Sequence, residues 1–324
     1  MYLHKLNQTK HPANLNLKKV LVIYYSQSGQ LLDIVKNITK DIGNNEDVNL
    51  DFYEIKLKNA FNFPWKKKDF FDAFPESFLQ IPSELDDVEN PLLKTKYDLI
   101  ILGYQVWYLT PSIPVNSFLK SDKFKTLFEN TPIITVIGCR NMWLMAQEKM
   151  KKLLVQNKAN LVGNIALVDR HINHISVITI VQWMFTGVKK KYLGIFPKPG
   201  VSQKDIDESV KFGAPILKSL LSNDYSKLQD NLLEKKAVLI KPFLINVDKR
   251  ANIIFSKWSN LIYKKGKAND PKRSIWLKVF NYYLIFAIWF IAPILFVVYL
   301  LTFPIMFAKI KRNKKYYSSI KLKD

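Results

Sequence analysis

From Val20 to Gln30 the chain reads Val-Leu-Val-Ile-Tyr-Tyr-Ser-Gln-Ser-Gly-Gln. Six apolar or aromatic residues in a row, with no polar alternation, suit a strand covered on both faces, as in a parallel sheet. The polar turn Ser26-Gln27-Ser28-Gly29-Gln30 follows at once, and then Leu31, Ile34, Val35, Ile38 and Ile42 recur at helical spacing. A buried strand, a short turn and an amphipathic helix define the first unit of a doubly wound α/β sheet, whose ligands sit at the carboxyl ends of the strands.

That turn has the chemistry of an anion cradle. The first N–H groups of a helix have no intrahelical partner and carry partial positive charge. Ser26 and Ser28 add hydroxyls, and Gly29 permits positive φ or close approach of the backbone. No lysine follows the glycine, which excludes the nucleoside-triphosphate loop, and a single glycine does not make the dinucleotide fingerprint. A monophosphate suits the turn better than a pyrophosphate.

Further strands are predicted at Val48–Ile55, Tyr97–Leu102, Pro132–Gly138 and Leu161–Leu167, with helices between them and a last helix capped by Ser202. Two of these strands feed polar-aromatic loops. One runs from Gly103 to Pro111 and holds Tyr104, Gln105, Val106, Trp107, Tyr108 and Leu109. The other holds Gly138, Cys139, Arg140, Asn141 and Trp143. Flat aromatics at the edge that carries the anion cradle suit a flat, partly apolar ring.

Together these residues resemble the flavodoxin-like family, whose phosphate loop follows the first strand as Ser/Thr-x-Thr-Gly-x-Thr. Ser26, Ser28 and Gly29 match it, and Leu31 stands where the family prefers a hydroxyl. The resemblance implies a three-layer α/β sandwich over residues 20–221, with a five-stranded parallel sheet in the order 2-1-3-4-5. It also implies FMN as cofactor: Ser26, Gln27, Ser28, Gly29, Gln30 and Leu31 would meet the phosphate, and the two aromatic loops the ring.

Two insertions enlarge the domain. Residues 56–96 are rich in phenylalanine and read as an apolar cover or substrate wall. Residues 168–200 hold an uncharged run from Ile172 to Val188 followed by three lysines, which reads as a buried or interfacial helix. At the start of the second insertion lie Arg170, His171 and His174. Either histidine could move a proton at a bound substrate, and Arg170 could hold a carboxylate. There is no metal signature.

The chain carries a net charge of +22, and residues 231–324 hold 19 lysines and arginines against four acidic residues. That excess surrounds Val279–Ala308, thirty residues without a charge. An apolar run with basic flanks predicts a lipid bilayer as partner, and no nucleic-acid motif accompanies the charge. The expected layout is an extension over 1–19, a basic helical connector over 222–273, a membrane-inserted segment over 274–310 and a basic tail over 311–324. A straight helix of that length is about 45 Å against a hydrocarbon core of about 30 Å, so the segment is either a tilted span or a re-entrant hairpin at Pro293. Positive charge on both flanks favours the hairpin, with both ends on the cytoplasmic side of the plasma membrane. The polar N-terminus has no signal-peptide pattern, and a lone cysteine, Cys139, suits a reducing compartment.

The plan also resembles flavodoxin-related proteins of dialkylresorcinol and aryl-polyene pathways. That likeness implies oxidative aromatisation of an alkylated, carboxylated cyclohexanedione supplied by a partner ketosynthase, with Arg170 on the carboxylate. The alternatives are an NAD(P)H:quinone reductase and a non-catalytic electron-transfer protein.

Overall fold

The computed structural model describes residues 17–86 and 89–322, so the predicted extension falls mostly outside the described residues. The elements run β1 (Lys18–Tyr24), α1 (Gln30–Gly43), β2 (Val48–Glu54), α2 (Lys67–Asp72), α3 (Phe74–Phe78), β3 (Leu99–Trp107), β4 (Thr110–Pro111), α4 (Ile113–Lys120), α5 (Lys125–Phe128), β5 (Pro132–Cys139), α6 (Leu144–Gln156) and β6 (Asn160–Val168). They continue as α7 (Asn173–Thr186), α8 (Gln203–Asp207), α9 (Gly213–Ser222), α10 (Leu228–Glu234), α11 (Pro242–Lys265), α12 (Ser274–Phe286) and α13 (Ala292–Ser318).

The five long strands are parallel and ordered β2-β1-β3-β5-β6, the flavodoxin-like arrangement. The order matches the expected one except for the two-residue β4, which pairs antiparallel with the end of β3. Val20, Leu21, Val22 and Ile23 are fully buried because β1 is covered on both sides. One face packs against α1, α9 and α10 through Ile34, Ile38, Ile216 and Leu232. The other packs against α4, α5 and α6 through Phe118, Phe128, Met150 and Leu154. The α1 stripe that faces the sheet is the predicted one: Leu31, Ile34, Val35, Ile38 and Ile42.

Three elements depart from the sequence expectations. β3 does not stop at Leu102 but runs to Trp107, because β5 goes on pairing with it as far as Gln105 opposite Gly138. The sandwich does not stop at 221 either: Leu228 and Leu232 of α10 are fully buried in the core, and Val238 bridges to Ala166 beside β6. Finally, there is no hairpin at Pro293. Residues Pro271–Ser318 form one 48-residue helix, long and apolar enough to cross a membrane. It absorbs Pro293 in a π-helical turn at Ala287–Ile291. Proline removes one N–H and crowds the preceding turn, and a local i→i+5 winding accommodates both without ending the helix.

The first insertion is ordered packing. α2 and α3 sit between β3–β4 and the C-terminal helices, with Phe74 stacked on Phe280 at 3.9 Å between ring centroids. The second insertion forms α7, which ends at Gly187.

Candidate flavin site and the strand-end loops

The turn after β1 places its polar groups at the carboxyl edge of the sheet. Gly29 adopts φ 82° and stands at the N-terminus of α1, and a Cβ built on it meets no atom within 4 Å. The backbone therefore faces open space in the left-handed region, where a side chain is disfavoured and a bound group would not collide. Among the described residues, the amides of Ser28, Gly29, Gln30 and Leu31 have no backbone acceptor. The Ser26 hydroxyl accepts from the Leu32 amide at 3.2 Å and keeps its own proton to donate outward. Ser26, Gln27 and Ser28 are half-buried.

Not every side chain expected at this turn faces the same space. Gln30 is buried and makes a two-way amide bond with Val201, accepting from its N–H and donating to its C=O, both at 3.0 Å. Leu31 is a core residue of α1. Both could contribute only their backbone N–H. Gln27 ties the first insertion down: its Oε1 accepts from the Trp65 indole at 2.9 Å, and its Nε2 donates to Asn62 C=O.

The Gly103–Pro111 segment divides in the same way. Tyr104 is fully buried, with its hydroxyl donating to Gln147 Oε1 at 2.6 Å, and Val106 packs at the edge of that core. Tyr108 and Leu109 occupy a left-handed turn at φ 49° and 63°. Tyr108 inserts between Phe70 and Phe74, its hydroxyl on the Phe70 carbonyl, and Leu109 is buried. Tyr104, Tyr108 and Leu109 are thus packing residues: the extended strand turns Tyr104 into the core, and the left-handed turn after it carries Tyr108 and Leu109 inward. Trp107 remains at the edge in an aromatic wall: edge-to-face with Tyr25 at 5.9 Å, Phe61 at 5.1 Å and Trp65 at 5.3 Å. Gln105 Oε1 is buried without a hydrogen-bond partner.

In the third loop, Trp143 is buried in the core, and a Cβ on the half-buried Gly138 would meet Leu31 and Ile34. Burial pushes the half-buried Cys139 thiol above its usual range, which disfavours the reactive thiolate. Burial also lowers Arg140 to about 10, still charged at neutral pH. Its guanidinium and the Asn141 amide both donate to Asn173 Oδ1, at 2.9 and 3.2 Å, and so join this loop to the start of α7.

The three residues predicted for catalysis have separate fates. Arg170 is paired through one nitrogen with Asp205 at 2.6 Å on a side chain 55 % exposed, so its charge is already balanced. His174 Nε2 lies 3.0 Å from the Ile288 carbonyl. In an i→i+5 turn that carbonyl would look to residue 293, a proline with no N–H; the histidine donates in its place and straps α7 to the long helix. His171 keeps a site-like arrangement. Its Nδ1 is 2.7 Å from the fully buried Asp169, which also accepts from Ser176 Oγ at 2.7 Å. The carboxylate fixes the ring and leaves Nε2 on a side chain 38 % exposed. An apolar-lined cavity of about 180 Å³ lies beside this strand end, bordered by Trp143, Val168, Arg170, Leu244 and Lys314. Among the described residues no group of histidines, cysteines and acids could hold a metal ion.

Sequence reasoning missed Asp248. This fully buried carboxylate on α11 accepts from the amides of Leu144 at 2.8 Å and Met145 at 3.4 Å, and so caps α6 at the same edge. Its only signal in the sequence is an acid standing alone in a basic segment. Burial raises it from 3.8 to about 7, against the opposing pull of those amides and Lys149. A carboxyl with a raised folded pKa contributes stability that is fully present below about 4 and is lost as pH rises through about 7. Asp248→Asn keeps an acceptor for the Leu144 amide and removes this titration. Thermal melts should show the variant gaining on the wild type between pH 5 and pH 8; a constant difference would mean the carboxyl does not titrate there.

No family model matches the chain, and no curated protein does. Among solved structures, a flavoprotein in complex with FMN from Lactobacillus acidophilus is 20 % identical, over 46 % of this chain and 93 % of that one, with a TM-score of 0.36. A flavoprotein from Bacteroides uniformis is 18 % identical over 52 % of this chain and 99 % of that one, at 0.37. Oxidised flavodoxin 1 from Bacillus cereus is 15 % identical over 62 % of this chain and 98 % of that one, at 0.34.

Proposed function

We propose that the protein is an FMN-dependent oxidoreductase that acts on a lipophilic substrate. The observation that carries this reading is the β1–α1 turn, where unspent amides, the Ser26 and Ser28 hydroxyls and a left-handed Gly29 meet open space beside an aromatic wall. The residues suit FMN on two counts. Nothing blocks a group approaching Gly29, and Gln105 Oε1 is an unpartnered acceptor for a donor on the ring edge. When bound, FMN supplies the electron or hydride transfer. Ser26, Ser28 and the amides of 28–31 hold the phosphate; Tyr25, Phe61, Trp65 and Trp107 exclude water on the ring side. His171, its Nδ1 held by Asp169, presents Nε2 to take up a proton from a bound substrate.

The aromatic wall and the apolar cavity near His171 favour a greasy substrate. The Arg170–Asp205 pair bears on which one. Asp205 already balances the Arg170 charge, so a carboxylated cyclohexanedione gains less there, whereas a neutral quinone asks for no cation. That pair favours a quinone reductase drawing on an external reductant such as NAD(P)H. A detergent-purified sample should show flavin absorbance bands on addition of FMN and should consume NADPH when given a short-chain quinone. Failure to bind flavin removes the whole reading. Binding without quinone turnover removes the reductase.

A further inference from the structure

We propose that the C-terminal helix lies flat on an anionic membrane surface, buried in one leaflet, and does not cross the bilayer. The inference goes beyond the flavin reading and stands whether or not a flavin binds.

Both ends of the helix are fastened to the same folded domain. At the start, the fully buried Arg273 donates to Asp72 Oδ1 at 2.8 Å, to Glu76 Oε1 at 2.6 Å and to the Asp72 carbonyl at 2.6 Å. At the far end, Tyr317 enters the main core, the Tyr316 hydroxyl meets Glu148, and Gln229 donates to the Ser318 carbonyl at 2.9 Å. A span would put these ends on opposite sides of about 30 Å of hydrocarbon, and one set of polar contacts would have to break.

Between the anchors a single stripe faces the protein. Phe280 and Ile310 are buried, and Leu284, Ile291, Leu295 and Tyr299 are half-buried, at steps of four, seven and eleven residues. Phe243 of α11 closes on Phe296 and Tyr299 at 5.1 and 5.5 Å. The opposite side is apolar and open: Phe290 is 61 % exposed, Leu301 74 % and Ile305 86 %. Thirty uncharged residues give a strip about 45 Å long and about 10 Å wide, in the size range of the largest apolar patch on a soluble monomer, which commonly marks an interaction surface.

Charge complementarity selects the occupant. Lys272 and Lys278 stand exposed at one end of the strip, and Lys309, Lys311, Lys314 and Lys315 at the other. A second copy packed along this strip, parallel or antiparallel, would set lysines against lysines. An anionic leaflet instead receives the apolar side between its acyl chains and both basic ends at its headgroups.

The test uses the full chain expressed in cells, with Lys272→Cys and Lys315→Cys made separately. Cys139 is half-buried, so both variants are made in a Cys139→Ser background. Both sites should react with an impermeant maleimide in inside-out membrane vesicles and neither in intact cells. Reaction of one site from each side would establish a span and overturn the proposal. The double variant Leu301→Glu, Ile305→Glu should move the protein at least tenfold toward the soluble fraction with its circular dichroism unchanged. Purified wild type should float with vesicles containing phosphatidylglycerol and not with neutral ones. A wild-type dimer that ignores both vesicles would overturn the proposal in favour of self-association.

Discussion

Replacing Arg273 with methionine is expected to destabilise the protein by about 3–5 kcal/mol, enough to unfold a domain of ordinary stability in part. The guanidinium is fully buried and satisfies two carboxylates, Asp72 at 2.8 Å and Glu76 at 2.6 Å, whose side chains are only 11 % and 15 % exposed. Methionine fills much of the volume but leaves both acids desolvated and unpaired, and that is where the cost arises. The triple variant Asp72→Asn, Glu76→Gln, Arg273→Met removes the stranded charges and should recover most of the loss. Urea unfolding of the two variants checks this. If the single variant unfolds within 1 kcal/mol of the wild type, the cluster is solvated and the helix anchor is weak. If the triple variant is as unstable as the single one, packing and not charge sets the cost.

The sandwich was legible because its signals are local. The run Val20–Tyr25 and the α1 stripe from Leu31 to Ile42 each need only a period and a turn, and both appear as read. β3 is longer than its sequence suggests, because Gly103 and the prolines at 111 and 114 look like loop signals. What keeps Tyr104 and Gln105 extended is pairing with β5, which lies some thirty residues away in sequence, while Val106 and Trp107 pair with β4. Pro293 misled for a related reason: local rules end a helix there, while a π turn and a histidine more than a hundred residues upstream absorb the defect.

The site divides along the same line. Ser26, Ser28 and Gly29 were legible, since a turn between strand and helix fixes its own geometry. The fates of Arg170, Gln27 and Tyr108 depend on Asp205, Trp65 and the Phe70–Phe74 pair, partners that no spacing announces. Side chains at a strand end face either the ligand or the core, and a shift of one residue decides which.

Gly29→Val separates a phosphate cradle from an ordinary turn. At φ 82° a β-branched residue is strained, but a Cβ meets nothing within 4 Å, so the fold itself should lose only about 1–2 kcal/mol. The open space is where a bound phosphate would lie, and the amides that would hold it are those of residues 28–31. Hydrogen bonds to a charged group are worth about 1.5–3 kcal/mol each, so displacing the phosphate from even one should weaken FMN at least tenfold. Riboflavin, which has the ring and no phosphate, supplies the internal control. The wild type should prefer FMN to riboflavin, and Gly29→Val should abolish that preference while leaving riboflavin affinity within a few-fold. Flavin fluorescence quenching measures both ligands on the same protein. Equal loss for the two would mean the substitution disturbs the ring wall, and no loss for either would place any flavin away from this turn.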